Sequence, residues 1–189
     1  RYKEEALLAS YIDSLHPIIY INHFDFTVID DTLKKIGQGV NIVEYNNALG
    51  EINFNTKSQI HECELERFLK LSLENGFESE TFILLKDIHD QMNNPKVIAL
   101  LKRIAENNLY SEDYHATIII ESNKLVIPSE LENYITVFDV PLPTSREIKK
   151  IIETFASDLE IEIVQDVLDD ITLSFKGMNE FQIKQILNL

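Results

Sequence analysis

Three polar residues, Asp87, His89 and Asp90, follow closely after the short apolar run Thr81–Leu85. A continuous apolar run of this length is typical of a strand that is buried on both faces of a parallel sheet. Ligands of open α/β sheets bind outside the carboxyl ends of such strands. The three residues are therefore candidates for a binding site, or they only form the turn after the strand. A metal site would need a further ligand from elsewhere in the chain.

Length, charge and cysteine content limit the classes of function. The 189 residues include 44% hydrophobic and 26% charged residues, and the formal net charge is −15. A surface of that sign repels nucleic-acid phosphates and anionic lipids, so we expect neither nucleic acid nor a membrane as partner. The single cysteine, Cys63, cannot form an internal disulfide, and no signal peptide or long apolar run is visible. Both observations favour a cytoplasmic location.

Alternating apolar runs and amphipathic stretches predict an α/β domain over residues 1–143, with a five-stranded parallel sheet between two layers of helices. A first helix is predicted at Glu4–Leu15. Residues 46–60 are polar and rich in turn signals, so they are predicted to be the longest loop. The five predicted strands are Ile18–Ile21, Val40–Tyr45, the run that ends at Asp87, Thr117–Ile120 and Ile135–Phe138.

Helices alone are predicted after the stiff segment Pro141–Pro143. Thr144 and Glu147 have the spacing of a capping box at the start of the first of them. Residues 144–189 are therefore predicted to be a small helical subdomain. Because the chain begins with Arg1 rather than Met and stops inside a predicted helix, we expect it to be a piece of a longer protein. The second predicted helix has its inner, apolar face at Val164, Val167, Leu168 and Ile171.

An α/β layer followed by helices is shared by many nucleotide-driven enzymes, which bind phosphate with a GxxxxGKS/T loop after the first strand. The corresponding turn in this chain is Asn22–Thr27, which contains neither glycine nor lysine and carries Asp25. None of the five glycines of the chain lies in such a motif. Phosphate binding at this turn in the usual manner is therefore not expected.

Two strand ends nevertheless offer groups for a nucleotide. Asp87 is a candidate for holding Mg²⁺ through water, as an acidic residue at the end of that strand does in such enzymes. Hydrolysis would also need a glutamate directly after it to polarise the attacking water, and Ile88 occupies that position. Asn123, after the fourth strand, is either a group that orients a water or a phosphate, or a simple turn residue.

Four segments resemble the N-terminal half of certain AAA-type ATPases. The sequence is similar, from about Ser10 to its end, to the conserved chloroplast and cyanobacterial AAA proteins and their bacterial relatives. The last two segments are the most specific, because AAA+ proteins often have them at the entry to the helical lid. The resemblance implies a P-loop NTPase fold of AAA+ type followed by a lid. The four segments are Leu15–Ile21, Phe82–Asp90, Ile127–Glu132 and Val137–Pro143.

In that family the N-terminal half is a degenerate ATPase domain, and the working phosphate loop lies in a second domain. The resemblance matches Asp87 to the acidic residue of the second nucleotide motif and Asn123 to the first sensor position. Asn22, Phe24 and Thr27 stand where the phosphate loop would be.

The resemblance thus implies a non-catalytic domain for assembly or regulation, in a parent protein that uses ATP and Mg²⁺ elsewhere. Its expected partners are the downstream ATPase domain, neighbouring subunits of a homo-oligomer and a protein substrate. The alternative is an ATP-binding sensor or weak ATPase that uses the strand-end carboxylates.

Overall fold

The computed structural model describes residues 6, 8–10, 16–22, 26–139 and 142–188. The helix predicted at residues 4–15 lies largely outside them. The chain divides into two compact units, Arg1–Val140 and Pro141–Leu189.

The first unit is built on a seven-stranded sheet with the order β4-β3-β2-β5-β6-β1-β7. Neighbours among β2, β5, β6, β1 and β7 are all parallel, and these five are the predicted strands. The prediction of an α/β fold with a parallel sheet is therefore confirmed. The strands are β1 (Ile18–Asn22), β2 (Asn41–Asn46), β3 (Gly50–Asn53), β4 (Gln59–His61), β5 (Thr81–Lys86), β6 (Ala116–Ser122) and β7 (Ile135–Asp139).

The two additional strands lie in the segment that was predicted to be the longest loop. β3 pairs antiparallel with β2, and β4 pairs antiparallel with β3, so the strand number is corrected from five to seven. The prediction was wrong because strands at the margin of a sheet need no apolar run, and all three residues of β4 are exposed. The turn signals were real: the Ala48 N–H donates to Asn46 Oδ1 at 2.8 Å between β2 and β3.

Helices cover both faces of this sheet and give three layers. α1 (Phe26–Ile36) lies on one face, and α2 (Leu65–Asn75) and α3 (Pro95–Tyr110) lie on the other. Alternate residues of β5 face opposite cores, so that Leu84 packs with α1 and Ile83 packs with α2 and α3. Asn94 caps α3 by accepting a hydrogen bond from the Lys96 N–H at 3.0 Å.

The second unit contains three helices in its described part, α4 (Ser145–Asp158), α5 (Gln165–Phe175) and α6 (Glu180–Leu187). α4 has the predicted capping box. The predicted apolar face of α5 is partly wrong, because Val164 and Val167 are 69% and 50% exposed. The buried face runs instead through Leu168, Ile171, Thr172 and Phe175, which have the spacing of one side of a helix.

Candidate functional site

The carboxyl ends of the parallel strands meet at one edge of the sheet, and three predicted site residues lie along it. Asn22 ends β1 and pairs in register with Ser122, the residue before Asn123. Asp87 follows the last residue of β5, which is the neighbour of β6. The structure thus brings Asn22, Asp87 and Asn123 to the same edge from three adjacent strands.

The connection from β1 to α1 is short. Only residues 23–25 separate the end of β1 at Asn22 from the start of α1 at Phe26, and these residues, Phe24 among them, lie outside the described part of the chain. Thr27 is exposed in the first turn of α1. A GxxxxGKS/T loop is longer than this connection, and its lysine has no counterpart in Asn22–Thr27.

Asp87 turns the chain where β5 ends. Its φ of 57° is left-handed, a conformation that aspartate tolerates better than most residues, and its N–H donates to the Glu121 carbonyl at 3.0 Å. Ile88 comes next and is fully buried in the core on the α2 and α3 side. The position at which a hydrolase would carry its water-polarising glutamate is therefore an apolar core position.

The polar side chains after this turn contact one another. His89 Nδ1 lies 2.8 Å from Ser122 Oγ, and His89 Nε2 lies 3.5 Å from Asp90 Oδ1. Ser122 Oγ also accepts from the Lys124 N–H at 3.2 Å. Among the residues that the structure describes, no group of three or more His, Cys, Asp or Glu side chains is placed to hold a metal ion. The binding of Mg²⁺ by Asp87 stays a prediction.

A buried charge cluster, which the sequence analysis missed, lies beside this edge on the face that α1 covers. Lys86, the last residue of β5, is at its centre. Lys86 Nζ lies 2.7 Å from Asp30 Oδ2, 3.1 Å from Glu44 Oε1 and 3.8 Å from Glu121 Oε2. The side chains of these four residues are each at most 9% exposed. They come from four different elements, namely β5, α1, β2 and β6.

Lys57, from the turn between β3 and β4, completes the buried charge cluster on its solvent side. Its Nζ lies 2.8 Å from both Asp30 Oδ2 and Glu44 Oε1, and its side chain is 39% exposed. The same ammonium group lies 4.0 Å from the centroid of the Phe54 ring, whose face attracts cations. Two lysines therefore contact Asp30 and Glu44.

Glu121 is the carboxyl group that has the weakest contact with a cation. Its side chain is 1% exposed, and neither of its oxygens has a hydrogen-bond partner in the described part of the chain. Burial raises the pKa of Glu121 well above its ordinary value. The charge of Lys86 lowers this pKa in part, whereas the charges of Asp30 and Glu44 raise it further. A proton on Glu121 would leave two lysines to balance the two carboxylates of Asp30 and Glu44.

Lys86 stays charged in the same surroundings. Burial alone would lower its pKa, but the neighbouring carboxyl groups outweigh that effect and the pKa of Lys86 is raised. The charged ammonium group of Lys86 therefore forms its ion pairs with Asp30 and Glu44 of the same chain.

The sequence does carry a signal for this cluster. Glu44, Lys86 and Glu121 each stand in or at the end of a strand that is otherwise largely apolar. Charged residues are almost never fully buried unless they are paired, so one charge in each of three adjacent strands indicates a shared ion network.

We expect the free energy of unfolding to fall as the pH rises, and Glu121→Gln to reduce that fall. The unfolded pKa of glutamate is about 4.3, so above that pH the folded chain holds a proton that the unfolded chain has released. The stabilisation is present below the unfolded pKa and is lost as the pH rises through the folded pKa. Urea unfolding of both proteins between about pH 5 and 9 measures the two slopes.

The control for this prediction is Glu130→Gln, which removes the same charge from an exposed position. It corrects for the general repulsion in a chain of net charge −15. Equal slopes for Glu121→Gln and Glu130→Gln would contradict the raised pKa of Glu121.

Comparison with known proteins gives the family. The family described as SpoVK-like AAA ATPase, N-terminal domain, matches residues 3–140. The chain belongs to this family. The resemblance to the N-terminal half of AAA-type ATPases is thereby confirmed.

Relatives of this AAA domain include the AAA domain-containing protein ycf46 from several algae. The Guillardia theta protein is 25% identical over 182 residues, which cover 91% of this chain and 34% of the relative. The Pyropia yezoensis protein is 34% identical over 110 residues, which cover 58% of this chain and 22% of the relative. The chain thus spans about a third or less of the length of these relatives.

Solved structures show that the domain has the AAA+ fold. A mutant RuvB of Thermotoga maritima matches with a TM-score of 0.59 and 15% identity, covering 97% of this chain and 59% of RuvB. PCH-2 of C. elegans matches with a TM-score of 0.58 and 13% identity, covering 96% of this chain and 60% of PCH-2. At such identities the likeness concerns the fold alone. In the described part of the chain, no helix has the length and apolar character needed to cross a membrane.

Proposed function

We propose that this AAA domain is a non-catalytic part of a larger ATPase, in which it serves assembly or regulation while another domain binds and hydrolyses ATP. The observation that carries the proposal is the three-residue connection between β1 and α1, in a turn without glycine or lysine. Phosphate loops work through glycine-dependent N–H groups and a lysine, and Asn22–Thr27 offers neither the glycines nor the lysine.

The charges near the strand ends support this proposal. Lys86 is the cation that ends β5, and its ammonium group contacts Asp30 and Glu44 rather than the edge where a phosphate would bind. Asp87 follows at that edge. A polyanionic nucleotide would therefore meet a carboxylate while the neighbouring lysine is engaged, and unpaired like charges repel strongly where water is excluded.

The residue after Asp87 argues against hydrolysis. Ile88 cannot polarise a water, and its full burial leaves no room for a charged replacement without a large energetic cost. ATP and Mg²⁺ would act in the other domain of the parent protein.

The proposed partners are that downstream domain, neighbouring subunits of a homo-oligomer and a protein substrate, in the cytoplasm. The proposed division is an α/β domain at residues 1–143 and a helical lid at residues 144–189. The length of the relatives supports a further domain, since the matched region is 34% of the Guillardia theta protein and 37% of the Trieres chinensis protein.

A second candidate function is an unconventional ATP sensor. The meeting of Asn22, Asp87 and Asn123 at one edge favours it, because these groups come from three adjacent strands. Magnesium bound by Asp87 would have to offset the charge of the phosphates.

Calorimetric titration with ATP, with and without Mg²⁺, separates the two functions. We expect no saturable heat and no thermal stabilisation at about 1 mM ATP, which corresponds to a binding free energy weaker than about −4 kcal/mol. Micromolar binding that is lost in Asp87→Ala but kept in Asp90→Ala would overturn the proposal and support the sensor. Asp90 is the matched control because it lies three residues away with a 78% exposed side chain.

A further inference from the structure

Four large apolar side chains that are close in sequence are exposed in the second unit. Leu159, Ile161, Val164 and Val167 are 55%, 53%, 69% and 50% exposed, and we call them the apolar strip. They fall within nine residues of sequence, in the connection between α4 and α5 and the first turn of α5. Single exposed apolar residues are common on protein surfaces, whereas grouped ones mark sites of interaction.

The backbone that carries the apolar strip is held at both ends. The Ile161 N–H donates to the Ala156 carbonyl at 2.8 Å, which closes the end of α4. The Leu168 N–H donates to the Val164 carbonyl at 3.0 Å, which starts α5. Ile163, in the middle, packs against the core of the second unit. The apolar strip is therefore presented by an ordered backbone, and a partner would bind it with little loss of conformational entropy.

The sequence around the apolar strip carries charge of one sign. Seven acidic residues and no lysine, arginine or histidine lie between Lys150 and Lys176. Glu160, Glu162 and Asp166 are exposed and alternate with the residues of the strip. Lys149 neutralises a different carboxylate of this segment, Asp169, at 2.7 Å. The surface thus combines apolar side chains with uncompensated negative charge.

We propose that the apolar strip binds a basic amphipathic segment of a partner protein. Apolar side chains of the partner would cover the strip, while its lysines or arginines would face Glu160, Glu162 and Asp166. Apolar contact supplies the affinity in such complexes, and complementary charge supplies orientation and selectivity.

Charge also decides against other occupants. In a second copy of this chain the strip is flanked by the same acidic residues, so two strips that face each other repel. Nucleic acids and anionic lipids are repelled for the same reason. The inference does not rest on the proposed function, because it uses residues of the second unit and no property of the β1–α1 turn.

The test is a titration of a fluorescein-labelled synthetic peptide with the complete chain, followed by fluorescence anisotropy. The peptide carries leucines at i, i+3, i+4 and i+7 and lysines elsewhere, and a scrambled peptide has the same composition without an apolar face. We expect saturable binding of the amphipathic peptide alone. Binding should weaken about tenfold or more in the double variant Ile161→Ser and Val164→Ser, because both side chains would be buried by the peptide.

Matched variants separate apolar contact from general attraction. Leu173→Ser changes an equally large, 70% exposed side chain of α5 outside the strip and should leave binding unchanged. Glu160→Gln with Glu162→Gln should weaken binding, whereas Glu130→Gln with Glu132→Gln, on the first unit, should not. The weakening by added salt should be smaller in the Glu160 and Glu162 variant than in the wild type.

Several results would overturn the inference. Equal binding of the scrambled peptide would show that charge alone attracts the probe, and the absence of saturable binding would exclude this class of partner. Wild-type affinity in the double serine variant with a wild-type thermal melting curve would exclude the strip as the contact. Sedimentation that shows a dimer dissolved by the serine substitutions would assign the strip to a second copy of the chain.

Discussion

Replacement of Lys86 by methionine is expected to destabilise the first unit by about 3–5 kcal/mol, the usual cost of removing one partner from a buried ion network. The Lys86 side chain is 7% exposed and its Nζ lies 2.7 Å from Asp30 Oδ2, so the carboxylate loses its closest cation without gaining water. Methionine keeps most of the side-chain volume, which limits the effect of a cavity. Urea unfolding at neutral pH measures the loss.

Lys57→Met is the matched control for this prediction. It makes the same chemical change in the same buried charge cluster, but the Lys57 side chain is 39% exposed, and water can replace part of its contacts. We expect a loss of about 1 kcal/mol, as for ion pairs near a surface. Equal losses for the two variants would contradict the central place of Lys86.

Removal of the carboxylates gives a second test, which also applies if Lys86→Met alone fails to fold. Adding Asp30→Asn and Glu44→Gln to Lys86→Met removes the two buried carboxylates that Lys57 alone would be left to balance. The free energy of unfolding should recover in part, because neutral amides cost less to bury than carboxylates. No recovery would mean that packing, and not charge, sets the role of Lys86.

Gly50→Ala should have the second largest effect, a destabilisation of about 2–5 kcal/mol. About 1–2 kcal/mol comes from a side chain on a residue in the left-handed conformation, and about 1–3 kcal/mol comes from overpacking. Gly50 starts β3 with a φ of 81°. A Cβ atom there would lie 2.7 Å from both the Cys63 nitrogen and the His61 oxygen, which are backbone atoms that cannot rotate away. The expected result is a lower urea midpoint, accompanied by loss of the β3 and β4 pairing.

Gly39→Ala separates the two contributions to that loss. Gly39 has a nearly equal φ of 84°, but a Cβ atom there would meet nothing within 4 Å. Its substitution should therefore cost only the conformational part, about 1–2 kcal/mol. A loss at Gly39 that matches the loss at Gly50 would show that the contacts with the β4 segment are of no consequence.

The features that were predicted from the sequence depend on local chemistry. The apolar runs of β5 and β6 indicate buried strands, whichever other strands they pair with. The Thr144 and Glu147 spacing forms a capping box through atoms three residues apart, so it needs no knowledge of the fold. The placement of Asp87 and Asn123 at one edge follows from the parallel direction of their strands.

The features that were missed depend on contacts between distant parts of the chain. Lys86 and Asp30 are 56 residues apart, and their ion pair exists only because α1 crosses the face of β5. The hairpin of β3 and β4 has no apolar periodicity because one of its strands is fully exposed. Val167 was assigned to the buried face of α5 because apolar spacing alone does not fix which of two adjacent apolar residues points inward.

The hairpin of β3 and β4 has a consequence for aggregation. A long strand at the margin of a sheet leaves a row of backbone N–H and C=O groups that can template growth into fibres. In this chain the sheet ends on the β2 side in β4, which has only three residues, and the register with β3 shifts between Glu51 and Ile52. So short and irregular a margin is a poor template, and we expect the purified chain to resist fibrillar growth from this side even at high concentration.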